Sequence, residues 1–278
     1  MTVYDRLFGF VAANVAVVVL VGASAGASPA DASGLGDATC SGGSIAPGVY
    51  SNLNVAGVCT VNAGSVKVKN NLTVLSGGIL IAAYGGRDKV HGSNLNVLGN
   101  LYVLTNGILV LGCEPVNYIC YNDPDQKVGT YFTRDTVGGS LIAEDALAVV
   151  AHLDVIGQDV TMTGGGGGVS SCSESLPALN GAPPYGDFED MIIGGNLTIT
   201  GWQSCWLGVA RVVVAQNVDF NDNLTGDPDG NEIVTDSIRG NLNCAGNSPK
   251  PQIGDSGGSL DNVFGHAHGQ CANASLVR

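Results

Sequence analysis

Apolar and polar residues alternate along this chain in short runs, and one run returns many times. It reads as a turn residue, Asn, an apolar residue, a variable residue and then a β-former. Early copies are Ser51-Asn52-Leu53-Asn54-Val55, Asn70-Asn71-Leu72-Thr73-Val74, Ser93-Asn94-Leu95-Asn96-Val97 and Gly99-Asn100-Leu101-Tyr102-Val103. Gly139-Ser140-Leu141-Ile142-Ala143 is a degenerate copy. Later copies are Gly195-Asn196-Leu197-Thr198-Ile199, Gln216-Asn217-Val218-Asp219-Phe220 and Gly240-Asn241-Leu242-Asn243-Cys244. Apolar residues two apart make one side of a strand dry and the other wet. Gly and Asn ahead of each strand tolerate positive φ and mark a turn.

Leu53, Leu72 and Leu95 lie 19 and 23 residues apart, and Leu197, Val218 and Leu242 lie 21 and 24 apart. A coil of that length cannot bury its apolar side alone, whereas stacked coils bury a continuous column. The pattern therefore predicts an all-β fold, a right-handed single-stranded parallel β-helix. A two-sheet sandwich also uses many short strands. Against it, the copies are self-similar, and hairpin-type turns such as Asn106-Gly107 are few between them.

The N-terminal pattern is different. Leu7 to Gly22 is almost wholly apolar, with Asn14 the exception, and small residues follow through Ala32. Residues 1–32 thus read as a signal helix and small-residue leader, with an uncleaved anchor as the other reading. Residues 33–278 read as the solenoid. All eight cysteines follow the leader, and no pair has CxxC spacing, which argues against zinc or thioredoxin chemistry. An even count in an exported chain reads as disulfides. Local contacts in a solenoid favour nearest-neighbour pairing: Cys40–Cys59, Cys113–Cys120, Cys172–Cys205 and Cys244–Cys271.

The start of the repeat carries Cys40, Gly42-Gly43, Ile45, Pro47-Gly48, Tyr50-Ser51-Asn52-Leu53, Val55 and Cys59. The end carries Ile238, Gly240-Asn241-Leu242, Cys244, Gly246-Asn247, Pro249 and Gly269-Gln270-Cys271. Over most of residues 40–275 this resembles secreted actinobacterial β-helix proteins. The resemblance implies a fold and secretion, and it implies no chemistry.

Composition narrows the classes further. With 42 Gly in 278 residues and only 13% charged residues, long helices and disorder are both disfavoured. A net charge of −13 argues against a nucleic-acid partner. Two stretches, at about 112–136 and 164–190, interrupt the repeat, and loops of that length are often functional. They gather aromatics beside carboxylates, so Tyr121, Arg134, Tyr185 and Trp202 are the candidate ligand-binding residues, with a cell-wall or extracellular polysaccharide as the candidate partner. The other reading is that these aromatics simply stick the loops to the solenoid wall.

Candidate chemistry is thin. Glu114, Asp123, Asp125, Asp187, Glu189 and Asp190 could supply a glycosidase pair, but the Asp-Asp, Gly-His-Gly and Arg-Ile-Lys motifs of β-helix polygalacturonases are missing. Gly254-Asp255-Ser256-Gly257-Gly258 fits a serine-nucleophile pattern, with His152 and Asp219 or Asp222 as formal partners, yet without the flanking context such a site needs. Asp227, Asp229 and Asn231 alternate around Gly230 as calcium donors do, so calcium is the candidate cation and no other cofactor is expected. His266 and His268 could clip a metal from a strand edge. No catalytic residues are assigned. The expectation is a secreted or cell-surface solenoid with a structural or adhesive role and no membrane contact once the leader is cut. The alternative is a polysaccharide-binding or polysaccharide-degrading β-helix.

Overall fold

The computed structural model describes residues 36–83, 93–112, 135–254 and 259–273. These form a parallel β-helix. Each coil contributes one short strand to each of three stacked parallel sheets, here called A, B and C, of ten, nine and nine strands. One early coil shows the path. Leu53–Val55 lies in sheet A, Val58–Thr60 in sheet B and Gly64–Val68 in sheet C, and Leu72–Val74 then re-enters sheet A. Register is set by the apolar residues: Leu53 pairs with Leu72 and Val55 with Val74. Leu72 pairs with Leu101, and Leu101 with Leu141.

Stacked side chains fill the core. On sheet A the inward residues Leu53, Leu72, Leu101, Leu141, Leu197 and Leu242 are all buried. At roughly 1.5–3 kcal/mol for each large apolar side chain removed from water, this column is the main source of stability. Its strands are short because each coil turns sharply between sheets.

The copy at Ser93–Val97 belongs to sheet C, where Leu95 pairs with Val66. Leu101, six residues on, is the true partner of Leu72 in sheet A. The two copies look alike because both faces of the coil obey the same alternation, so the sequence spacing from Leu72 to Leu95 joins positions on different sheets.

The second interruption is also shorter than the pattern suggests. Tyr185–Glu189 is a strand of sheet B, so the insertion ends near residue 184. It holds two short 3-10 turns, Val169–Ser173 and Pro177–Leu179. Leu176, Ala178, Leu179 and Ala182 lay it over the outer side of sheet B, on Ile108, Val110, Ala148 and Val150. Residues 113–134 of the first interruption, with Cys113, Cys120, Tyr121 and Arg134, lie outside the described residues.

Disulfides join Cys40 to Cys59, Cys172 to Cys205 and Cys244 to Cys271, with Cα–Cα distances of 6.3, 4.6 and 5.4 Å. The first and last staple the two ends of the described stack, and the middle one ties the insertion down. Among the described residues, no helix is long and apolar enough to cross a membrane.

Candidate functional site

Charged and polar side chains gather on the outer side of sheet B, next to the apolar patch that the insertion covers. Alternation places them there. In Tyr185-Gly186-Asp187-Phe188-Glu189, Phe188 points into the core, so Tyr185, Asp187 and Glu189 point outward. His152 is in register with Glu189, and Glu232 lies two rungs beyond Asp187 with Gly208 between them. A Cβ at Gly208 would collide with the Trp206 indole, so this glycine makes room for the ring. Tyr185 packs edge-on against Trp206 with ring centroids 6.2 Å apart.

The acidic residues and His152 are buried: Asp187 is 6% exposed, Glu189 2%, Glu232 5% and His152 1%. Asp190 and Arg211 occupy successive rungs of the column where sheet B turns toward sheet C, both with positive φ (51° and 56°). Arg211 Nε donates to Asp190 Oδ1 at 2.8 Å and its Nη2 donates to Asp190 Oδ2 at 2.8 Å. The same Nη2 donates to Glu189 Oε1. His152 Nε2 lies 3.0 Å from Asp190 Oδ2. Burial alone would raise the Asp190 carboxyl, but hydrogen bonds from His152 and Arg211, with the Arg211 charge, outweigh it and hold the group below its usual value. Asp187 goes the other way. Burial first, then the Glu189 and Glu232 carboxylates, push it well above the ordinary range against the pull of Arg211. Opposite shifts in neighbouring carboxyls are the pattern of an acid beside a charged partner.

The sequence-predicted residues do not all meet here. Trp202 is a core residue, fully buried, with its Nε1 donating to Ser204 Oγ at 2.7 Å. Its expected role as an exposed ligand-stacking ring is therefore corrected, because the turn after Gly201 points the indole inward. Tyr185 is also buried, under the insertion and against Trp206. Asp187, Glu189 and Asp190, expected in an acidic loop, form a strand and its turn.

The calcium candidates each have partners within the fold. Asp227 Oδ1 accepts from the Asp229 N–H at 3.0 Å, and Asp229 Oδ1 accepts from Gln252 Nε2 at 2.9 Å. Asn231 is buried and its Nδ2 donates to the Pro249 carbonyl at 2.8 Å. The His266 and His268 rings sit 5.9 Å apart. Among the described residues, no group of three or more His, Cys, Asp or Glu side chains is arranged to hold a metal ion.

The serine constellation is likewise divided. His152 faces Asp190 on sheet B, whereas Asp219 on sheet A accepts from Asn243 Nδ2 at 2.8 Å. Ser256 lies outside the described residues. Arg211, Glu232 and the Asp190 bridge were missed by sequence reasoning. The clue available was the in-register alternation of Phe188 with Ala151 and Val209, which makes the neighbouring acids outward strand residues.

No family model, no curated protein and no solved structure matches the chain.

Proposed function

We propose that this chain is a secreted or cell-surface β-solenoid with a structural or adhesive role, akin to the secreted actinobacterial β-helix proteins its termini resemble. One observation carries the reading: the side chains best suited to chemistry are committed to each other and to the stack. Arg211 is held by Asp190 and Glu189, and Asp190 bridges three rungs through His152 and Arg211. Support for stiffness comes from the corner ahead of sheet A. There a side-chain ladder runs from Asp37 through Asn52, Asn71, Asn100 and Ser140, and again from Asp159 through Asn196, Asn217 and Asn241 to His266. Three disulfides fit an exported chain. Such a rod presents a largely polar face on sheet A, where Asn54 and Thr73, Thr161 and Thr198, and Asp219 and Asn243 point outward in paired rungs, with Tyr102 and Ile142 between the first two pairs. A sedimentation assay against insoluble cell-wall polysaccharides tests the reading: the protein is retained and releases no sugar.

A second reading, a polysaccharide-degrading site, is favoured by Asp187 and Glu232. They lie two rungs apart on one face, their backbones about 9–10 Å apart by strand spacing, so that their side chains could flank a sugar as an inverting pair does. Burial pushes the Asp187 carboxyl well above the usual carboxylate range, the direction a general acid needs. Reducing-end release that disappears in D187N and E232Q would establish this second reading and displace the first.

A further inference from the structure

Two corners of the coil are built on one plan. Where sheet A turns into sheet B, a residue with positive φ precedes a ladder residue: Asp222 before Asn223, and Gly246 before Asn247. Asn223 Oδ1 accepts from the Trp202 N–H at 3.0 Å, and its Nδ2 donates to the Ile199 carbonyl at 3.2 Å. Asn247 Oδ1 accepts from the Asn223 N–H at 3.0 Å, and its Nδ2 donates to the Phe220 carbonyl at 2.7 Å. Each amide thus ties one rung to the previous one twice, once as acceptor and once as donor.

Where sheet B turns into sheet C, aspartates take these places. Asp236 follows Thr235, which has φ 63°, and its Oδ1 accepts from the Val212 N–H at 2.6 Å. Asp261 Oδ1 accepts from the Asp236 N–H at 2.9 Å. The acceptor half of the ladder is reproduced. The other oxygen of each, Oδ2, is buried and has no hydrogen-bond partner, with Asp236 2% exposed and Asp261 0%. Counting three residues back from the donor, as Ile199 stands to Trp202 and Phe220 to Asn223, brings the ladder to the carbonyls of Val209 and Ile233. Both are inward residues of sheet B, as Ile199 and Phe220 are of sheet A.

We infer that Asp236 and Asp261 fold as neutral carboxylic acids, each standing in for a ladder asparagine with its Oδ2–H donating to the Val209 or Ile233 carbonyl, so that this corner is a pH-sensitive clasp. An ionised Oδ2 would bring a lone pair where the asparagine ladder places an N–H, in a site closed to water. The charged groups facing the pair make ionisation harder still. Asp261 and Asp190 bear on Asp236 with like charge, and among the described residues the opposing cation, Arg211, is already held by Asp190 and Glu189. Burial accordingly raises Asp261 to about 7 and Asp236 higher than its usual value. Since the folded form binds the proton better than the unfolded chain, the clasp is fully closed below the ordinary carboxylate value of 3.8 and weakens as the pH rises through about 7.

The test is thermal unfolding of the full chain from pH 4 to 9 for the wild type, D236N, D261N and the double variant. The double variant should melt at least about 3 °C above the wild type at pH 8 and level with it at pH 4, a flatter slope than the wild type shows. Infrared spectroscopy of the folded wild type at pH 6 supplies a readout independent of the variants. It should show the carbonyl band of protonated carboxyl groups, reduced in the double variant. Equal pH slopes in wild type and double variant, or no protonated band, would overturn the inference. So would stabilisation of the wild type by added calcium at pH 8 that the double variant lacks, since the pair would then be an ionised cation site.

Discussion

At the turn from sheet A to sheet B, Asn223 and Asn247 close the coil. At the next turn, from sheet B to sheet C, Asp236 and Asp261 stand in equivalent places. The backbone makes the same demand at both: a buried N–H in one rung needs an acceptor in the next. Asparagine meets that demand and offers a donor at any pH. Aspartate meets it too, yet supplies the donor only when protonated. The asparagine corner is thus indifferent to pH, and the aspartate corner is not. Four rungs before Asp236 at the same corner, Asp135 repeats the theme by accepting from the Leu95 N–H at 2.7 Å and the Gly112 N–H at 3.1 Å. Its carboxyl is raised to about 7 by burial, and Asp154 beside it is raised well above the usual range by burial and by the Asp135 charge.

The comparison can be broken most severely at Arg211, which holds the acids flanking the aspartate corner. Arg211→Ala should destabilise by about 3 kcal/mol, because it leaves the buried carboxylates of Glu189 and Asp190 without their cation. Chemical denaturation at pH 7 measures this. Asn223→Ala should cost about 2 kcal/mol at every pH, by stranding the buried Trp202 N–H. A cost that grew with pH would contradict the claim that this corner does not titrate. Asn217→Ala, in the half-buried ladder ahead of sheet A, should cost only about 1 kcal/mol because water can reach the N–H it leaves.

The pH profile sharpens the contrast. Asp190 is depressed, so its contribution is present above 3.8 and is lost as the pH falls below that value. Asp135 and Asp261 are raised to about 7, so their contribution fades between 3.8 and about 7. Stability should therefore peak in mild acid, near pH 4–5, and fall on both sides. A profile that rose steadily to pH 8 would contradict the assignments of Asp135 and Asp261, and one with no loss below pH 3.8 would contradict that of Asp190.

The stacked architecture was legible because the residues that make it are repeated: Asn at a corner, Leu facing in, a polar residue facing out. The spacing could not tell sheet A from sheet C, so Leu95 looked like a partner of Leu72. The site was far less legible. Asp187 and Glu189 are outward residues of an ordinary alternating strand, and nothing local says whether an outward face is wet or covered. Over the neighbouring Tyr185 and Trp206 the covering comes from Leu176, Leu179 and the insertion, through contacts that no short window of sequence contains. Trp202 was misplaced for the same reason, since a ring after Gly201 can turn in or out and only the stack decides. Asp236 and Asp261 resemble any turn aspartate. Their burial depends on rungs more than 20 residues away, to which they are hydrogen-bonded.

The central functional claim is that the charged cluster on sheet B is structural and the molecule acts as a rod. The most direct measurement is to incubate the protein with insoluble cell-wall polysaccharides, following both retention and new reducing ends, for wild type and for D187N with E232Q. The account predicts retention by the pellet, no reducing ends, and the same retention in the variant. Reducing ends that accumulate with wild type and vanish with the variant would contradict it.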